Sequence, residues 1–286
     1  MKTVHTVADL RALVGAWRAN GERVAFVPTM GNLHAGHLHL VAEAKTLAER
    51  VVASIFVNPA QFGAGEDFSA YPRTPEEDAE RLLQGGTDLL FRPEVTEVYP
   101  GDLATMTYVE VPHLSDDLCG HYRPGHFRGV ATVVCKLFNM VQPDVALFGE
   151  KDFQQLAVIR RMVADLNMPI EIVGVPTVRE NSGLAMSSRN GYLTETERTQ
   201  AALIFKTLQL AAGELKAGER DFAELESRYT QQLREARFSP DYFAIRRPAD
   251  LMPPRPDDRE FVILVAARLG RARLIDNLSV RIEPNP

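Results

Sequence analysis

The strongest constraint in this sequence is a repeated alternation between short apolar runs and longer segments of helical spacing. Val24-Ala25-Phe26-Val27 and the run Val51 to Val57 carry few polar interruptions. Between them, Gly36 to Arg50 places Leu38, Leu40, Val41, Ala44 and Leu47 at helical intervals. Leu89-Leu90-Phe91, Val145 to Phe148 and Ile170 to Val173 repeat the strand signature, and Val130 to Met140 and Phe153 to Leu166 repeat the helical one. An apolar run without alternation is a strand covered on both faces, and strand, helix, strand at this spacing implies a parallel sheet. The expected fold is α/β: a Rossmann-like parallel sheet with helices on both faces. Its crossovers are right-handed, so ligands should collect at the carboxyl ends of the strands.

The texture changes after Arg179. Thr194 to Ala217 and Asp221 to Ala236 read as two helices of mixed charge, followed by strand-like Tyr242 to Arg246, Arg259 to Ala267 and Arg273 to Ile275. Met252-Pro253-Pro254-Arg255-Pro256 reads as a loop, because proline cannot donate to a ladder. Residues 1–179 are therefore expected to form the Rossmann-like domain and 180–286 a smaller C-terminal α+β domain. With 286 residues and 45% hydrophobic content, the chain can bury two such cores. A net charge of -6 speaks against a protein that coats nucleic acid. The opening MKTVHTVADLRALVGAWRANGER lacks the apolar core of a signal peptide, and no run approaches the length of a membrane span. Cys119 and Cys135 have no CxxC or Cys/His spacing, as expected of reduced thiols. A cytoplasmic protein is expected, with no membrane and no nucleic-acid partner.

Four segments carry chemistry. In the first, Val27-Pro28-Thr29-Met30-Gly31-Asn32-Leu33-His34-Ala35-Gly36-His37, a buried strand turns through glycines into a helix bearing two histidines three residues apart. That spacing puts both imidazoles on one face near a helix N-terminus, whose amides and dipole favour a phosphate. A purely structural loop with His34 as a cap, or part of a zinc site, would use the same residues; zinc needs further ligands at matching spacing. The second, Phe148-Gly149-Glu150-Lys151-Asp152-Phe153-Gln154-Gln155, again lies between strand and helix, with Lys151 as a point charge for phosphate and Gln155 one turn into the helix. The third, Gly183-Leu184-Ala185-Met186-Ser187-Ser188-Arg189-Asn190, offers two hydroxyls and a guanidinium at the domain junction. In the fourth, Phe56-Val57-Asn58-Pro59-Ala60-Gln61-Phe62-Gly63, neutral Asn58 and Gln61 suit a small substrate carrying hydroxyls and a carboxylate. Downstream, Asp67, Tyr71-Pro72-Arg73 and Glu76-Glu77-Asp78 could hold Mg²⁺ with a triphosphate, or the acidic residues could simply complement a helix dipole. No Ser/His/Asp order and no activated cysteine emerges, so the nucleophile should be a substrate.

In order along the chain, VPTMGNLHAGH, SIFVNPAQFG, YPRTPEEDAERL, RPGHFRGVATVV, LFNMVQPDVALFGEKDFQQL, VGVPTVRE, GLAMSSRNGYL and LVAARLGRARLIDN resemble the pantothenate synthetase family, within the nucleotidylyltransferase superfamily. The resemblance runs from Val24 to Asn277. It implies an ATP-dependent ligase: the pantoate carboxylate attacks the α-phosphate of ATP, and the β-alanine amine then attacks the acyl adenylate to give pantothenate and AMP. Carried over by position, it implies ATP contacts from Met30, Gly31, Asn32, Leu33, His34, Ala35, Gly36 and His37, from Gly149, Glu150, Lys151 and Asp152, and from Val178, Met186, Ser187, Ser188 and Arg189. His37 matches the proton donor, and His34, Lys151 and Arg189 match groups near the phosphates. Gln61 and Gln155 match the pantoate ligands, Gln61 lying also near β-alanine. The family implies Mg²⁺, here through Asp78 and Glu77, and a homodimer, with the second domain acting as a lid. Arg247 and Glu77 depart from the family's usual acidic residue and Asp. The alternatives are transfer of a nucleotide to another small acceptor, a tRNA-charging relative, or a nucleotide-binding protein without turnover. A phosphorylated acceptor needs further basic groups, a tRNA needs a basic surface, and intact His34, His37, Lys151 and Arg189 speak against lost turnover.

Overall fold

The computed structural model describes residues 1–63, 65–66 and 68–283. Its elements run β1 (Lys2–Val4), α1 (Val7–Ala19), β2 (Val24–Thr29), α2 (Ala35–Leu47), β3 (Arg50–Ile55), α3 (Pro75–Gly85), β4 (Leu89–Phe91), α4 (Val95–Val98), α5 (Cys119–Tyr122), α6 (His126–Val141), β5 (Val145–Gly149), α7 (Phe153–Asp165) and β6 (Glu171–Val175). They continue through α8 (Glu195–Ala201), α9 (Leu203–Lys216), α10 (Phe222–Glu235), β7 (Ser239–Arg246), β8 (Glu260–Leu269) and β9 (Ala272–Arg281). Short 3₁₀ turns occupy Pro59–Gln61, Glu150–Asp152 and Ser188–Tyr192. The chain divides into two compact units, Met1–Glu150 with Gln155–Pro176, and Lys151–Gln154 with Thr177 onward.

The first unit is built on a six-stranded sheet in the order β1-β4-β3-β2-β5-β6, parallel throughout. Alternate residues divide its faces. Ala25, Val27, Val51, Ala53, Val145 and Leu147 pack with Leu40, Val41 and Ala44 of α2 and Leu82 of α3. On the opposite face, Phe26 and Phe148 meet the Phe138 ring of α6 edge-on, at 6.4 and 6.2 Å between centroids. Both faces are thus covered by helices, which is why Val24 to Val27 is apolar without alternation. From β2 the chain winds one way to β3 and β4, then returns to lay β5 and β6 on the other side. The order therefore reverses between β2 and β5, and their carboxyl ends form the switch point where ligands of such sheets bind.

The second unit has a three-stranded antiparallel sheet, β7-β8-β9, whose Phe261, Ile263, Val265 and Ala267 pack against Leu208, Ala211 and Leu215 of α9 and Leu225 and Tyr229 of α10. Pro240 is tolerated because β7 is an edge strand, and the register slips between Pro240 and Tyr242. Two readings of the sequence change here. The helix expected over 194–217 is two, because Ala202 N–H bonds back to Gln200 O and interrupts the ladder without a proline or glycine to signal it. The strand expected over 273–275 extends to Arg281, carrying Asp276 and Asn277 buried in its interior.

Candidate active site

At the switch point, β2 ends at Thr29 and the chain turns through Gly31 (φ +83°) and Asn32 (φ +49°) into α2. This left-handed pair is held from below. Asp78, 1% exposed on α3, accepts Asn32 N–H at 2.9 Å on Oδ2 and Leu33 N–H at 2.8 Å on Oδ1. A Cβ at Gly31 would lie 3.0 Å from Asp78 Oδ2 and 3.1 Å from Ile55 Cγ2, so the turn approaches its clamp as closely as only glycine allows. Thr29 Oγ1 accepts Gly31 N–H at 3.2 Å and donates to Ser54 O at 2.8 Å.

The two imidazoles close a capping box on α2. His34, the N-cap, accepts Gly36 N–H on Nδ1 at 3.1 Å, and His37 Nδ1 accepts His34 N–H at 3.2 Å. A backbone N–H can only donate, so each Nδ1 must carry a lone pair and each neutral ring carries its proton on Nε2. The two ring centroids lie 4.1 Å apart. The cap and the ligand group are therefore one feature. The expectation of open helix amides changes in one respect: Asn32, Leu33, His34 and Gly36 N–H have internal acceptors.

Beside this turn, β3 leads into the 3₁₀ turn that carries Gln61, which donates through Nε2 to Met30 Sδ at 3.3 Å. Asn58 fixes its orientation. Asn58 Oδ1 accepts Ala60 N–H at 3.2 Å, and its Nδ2 donates to Gly129 O at 3.2 Å, so two backbone groups settle which end of the amide is which. Asn58 Nδ2 then donates to Gln61 Oε1 at 3.0 Å, which fixes the Gln61 Nε2 as the donor end beside Met30. The Tyr99 hydroxyl donates to Asn58 Oδ1 at 2.8 Å, and burial, with Tyr108 nearby, pushes this phenol up so that it keeps its proton. The Gln61 backbone carbonyl accepts from His126 Nδ1 at 2.9 Å, and His126 Nε2 accepts from Arg123 Nη1 at 2.9 Å. Arg123 forks onto Glu66 with two bonds of 2.7 Å. Burial pushes the Glu66 carboxyl up, but the hydrogen bonds and charge of Arg123 outweigh it and hold it below its usual value. Gln155 lies half-buried on α7.

In the second unit, the loop from Val178 to Asn190 folds back on itself: Met186 N–H bonds to Val178 O at 3.0 Å, Glu180 N–H to Leu184 O at 2.9 Å, and Gly183 turns at φ +91°. Ser187 caps the following 3₁₀ turn, accepting Arg189 N–H at 3.3 Å. Lys151, Ala185, Ser187, Asn190 and Asp276 line one small cleft, so the structure brings Lys151 and Ser187 together although 36 residues of sequence separate them.

The sequence matches the family model Pantoate-beta-alanine ligase over residues 2–279. The chain belongs to the pantoate–β-alanine ligase family. It is 61% identical over 283 residues to the pantothenate synthetase of Methylococcus capsulatus, covering 99% of each chain, and 59% identical to that of Pseudomonas putida strain GB-1 at the same coverage. The crystal structure of pantothenate synthetase from Thermus thermophilus superposes with a TM-score of 0.89 at 50% identity, covering 97% of this chain and 99% of that one. The ligase of Francisella tularensis, solved in complex with β-γ ATP and β-alanine, superposes with a TM-score of 0.81 at 32% identity, covering 97% of each.

Within this family fold, the acidic residues expected at magnesium divide. Both Asp78 oxygens accept backbone N–H groups of the turn, so this carboxylate acts as a clamp on it whatever else it binds. Glu77 lies on the exposed face of α3, 3.4 Å from Arg81. Asp67 lies outside the described residues. Among the described residues no group of three or more His, Cys, Asp or Glu could hold a metal ion. Sequence reasoning passed over Tyr99, Arg123, His126, Arg179, Asp276 and Asn277. Each has a partner 41 to 126 positions away, which leaves no local spacing to read.

Proposed function

We propose that this chain condenses pantoate with β-alanine at the expense of ATP, through a pantoyl-adenylate intermediate. The observation that carries the reading is the pair of Nε2–H donors at the carboxyl end of β2, in a chain whose full length matches the ligase family. A pantoate carboxylate oxygen attacks the α-phosphorus; the bond to the bridging oxygen breaks, and pyrophosphate leaves with the electron pair. The β-alanine amine then attacks the acyl carbon, the C–O bond to AMP breaks, and the amine releases a proton. No enzyme nucleophile takes part, so catalysis is orientation plus charge stabilisation.

In this proposal His34 and His37 donate to phosphate oxygens, His37 as the proton donor, while residues 30–37 frame the nucleotide. Lys151, Ser187, Ser188 and Arg189 neutralise the triphosphate, and Gly149, Glu150, Asp152, Val178 and Met186 lie along the nucleotide. Gln61, held as a donor by Asn58, meets an oxygen of pantoate and lies near β-alanine, with Gln155 as the second pantoate ligand. Magnesium enters with the triphosphate. The described residues supply no preformed cage for it, so the triphosphate oxygens and water would provide most of its ligands. We extend the proposal to a cytoplasmic homodimer; among the described residues no helix is long and apolar enough to cross a membrane.

Pantoate-dependent exchange between ATP and pyrophosphate, measured without β-alanine, tests the adenylate step. Exchange requiring pantoate alone is expected, and His37→Ala or Lys151→Ala should lower it by about two orders of magnitude in a folded protein. A folded protein that binds ATP but shows no exchange with pantoate would return the acceptor to question.

A further inference from the structure

The interior of β9 is a costly place for Asp276 and Asn277. Asp276 stands on the same strand face as Leu274, Leu278 and Val280, which pack into the core of the second unit. A carboxylate there must be paired to offset its desolvation, and asparagine is depleted in strands. Both are nevertheless buried, at 5% and 7% exposure. Their partners show what they hold. Asp276 receives Arg179 through two bonds, 2.6 and 2.9 Å. The same guanidinium donates to Gly183 O at 3.1 Å and lies 3.6 Å from the centre of the Phe205 ring. Asn277 Nδ2 donates to the backbone carbonyl of Lys151 at 2.9 Å, across 126 positions of sequence.

Lys151 stands only two residues beyond β5, so chain connectivity alone would let it follow the parallel sheet of the first unit. Lys151–Gln154 instead group with the second unit, and the bond from Asn277 is one contact that holds Lys151 there. One dipeptide of β9 therefore anchors both the lysine and, through Arg179, the glycine turn that leads into Ser187–Arg189. We propose that Asn277 is a positioning residue for nucleotide binding. It locks Lys151 to the second unit, and together with the Arg179–Asp276 pair it sets Lys151 and the Ser187–Arg189 turn as one preformed group of phosphate ligands. This rests on the reading of those residues as ATP contacts.

The test combines hydrogen exchange with nucleotide binding, on the full chain. In the native protein, the amides of 150–154 should be protected to the same degree as those of β9; exchange like that of an open loop overturns the proposal. In Asn277→Ala, peptides covering 148–156 should exchange faster by about tenfold, with strands β2 and β3 unchanged. Binding of a non-hydrolysable ATP analogue, followed by calorimetry, should weaken by about tenfold in the same variant. Asn277→Ser replaces it if the alanine variant does not fold. In pantoate-dependent exchange the KM for ATP should rise while that for pantoate stays level; a lower kcat with both KM values level indicates a structural role and overturns the proposal. Faster exchange with unaltered analogue binding overturns it as well. If the native protein shows no pantoate-dependent exchange, the functional reading falls, and the exchange and calorimetric measurements still judge the tether.

Discussion

The turn at residues 30–34 and the loop at 179–190 face the same physical problem and solve it mainly from opposite ends of the peptide group. Each contains left-handed backbone, at Gly31 and Asn32 in one and at Gly183 in the other, and each must hold a shape that its own sequence does not enforce. The first unit supplies mainly acceptors: Asp78 takes the N–H groups of Asn32 and Leu33, and the imidazoles take those of His34 and Gly36, while Arg81 donates to the carbonyl of Leu33. The second unit supplies mainly donors from a distance: Arg179 takes the carbonyl of Gly183, Asn190 that of Ala185, and Asn277 that of Lys151, while the loop's own Ser182 and Ser187 hydroxyls accept N–H groups. The difference matters for recognition. Where backbone N–H groups are turned inward, an anion must be met by side chains, the role proposed above for His34 and His37. Where carbonyls are turned inward, the loop removes its own negative ends from the neighbourhood of the phosphates it is proposed to bind.

The comparison also ranks the two clamps by fragility. Arg179→Ala leaves Asp276 buried without its guanidinium, and a broken buried pair costs about 3–5 kcal/mol. This is the largest stability effect expected, read as a shift of the urea midpoint at constant slope. Retention of native stability in that variant would mean that the ion pair is no anchor. Asp78→Asn is smaller in stability and larger in specificity. The carboxamide keeps one acceptor but turns an NH₂ toward a backbone N–H, costing about 1–3 kcal/mol. Because the displaced turn carries His34 and His37, pantoate-dependent exchange should fall about a hundredfold, the penalty for a catalytic group misplaced by about 1 Å. If exchange falls no more than the folded fraction does, the turn does not need its clamp for catalysis.

These clamps explain which parts of the molecule were legible beforehand. The strands of the parallel sheet announce themselves because burial on both faces strips them of polar residues, and Leu89 to Phe91 was placed to the residue. The histidine turn was legible because strand, glycine and helix follow one another directly. Asp78 was visible as an acidic residue at a helix start, but its role depends on two amides 45 and 46 positions away. The end of β9 was misread for the reason that makes it useful: Asp276-Asn277 has the composition of a turn and is tolerated in a strand only because Arg179 and Lys151 satisfy it. Gly129 is similar. It looks like a flaw within a helix, yet a Cβ there would stand 2.7 Å from Gln61 Cα and closer still to Ala60 O, so glycine is what lets α6 seat the Gln61 turn.

The smallest effect expected separates a clamp from an ornament. Glu180, in the same loop, takes two bonds from Arg198 at 2.8 and 2.9 Å and one from Asn190 at 3.1 Å. Arg198 first of all, against a weaker opposing effect of burial, holds the Glu180 carboxyl below its ordinary value of 4.5. A carboxylate lowered in the folded state contributes stability that is fully present above 4.5 and is lost as pH falls through its folded value. Arg198 is 54% exposed, however, so water and salt screen the pair, and Arg198→Ala should cost under about 1 kcal/mol at neutral pH. Its urea midpoint should converge on that of the native protein only as the pH falls below the lowered folded value of Glu180, because both then carry a neutral carboxyl. A loss that stays constant across that range would assign Arg198 a packing role. A loss as large as that of Arg179→Ala would erase the distinction drawn here between the buried pair that holds the glycine turn and the exposed pair beside it.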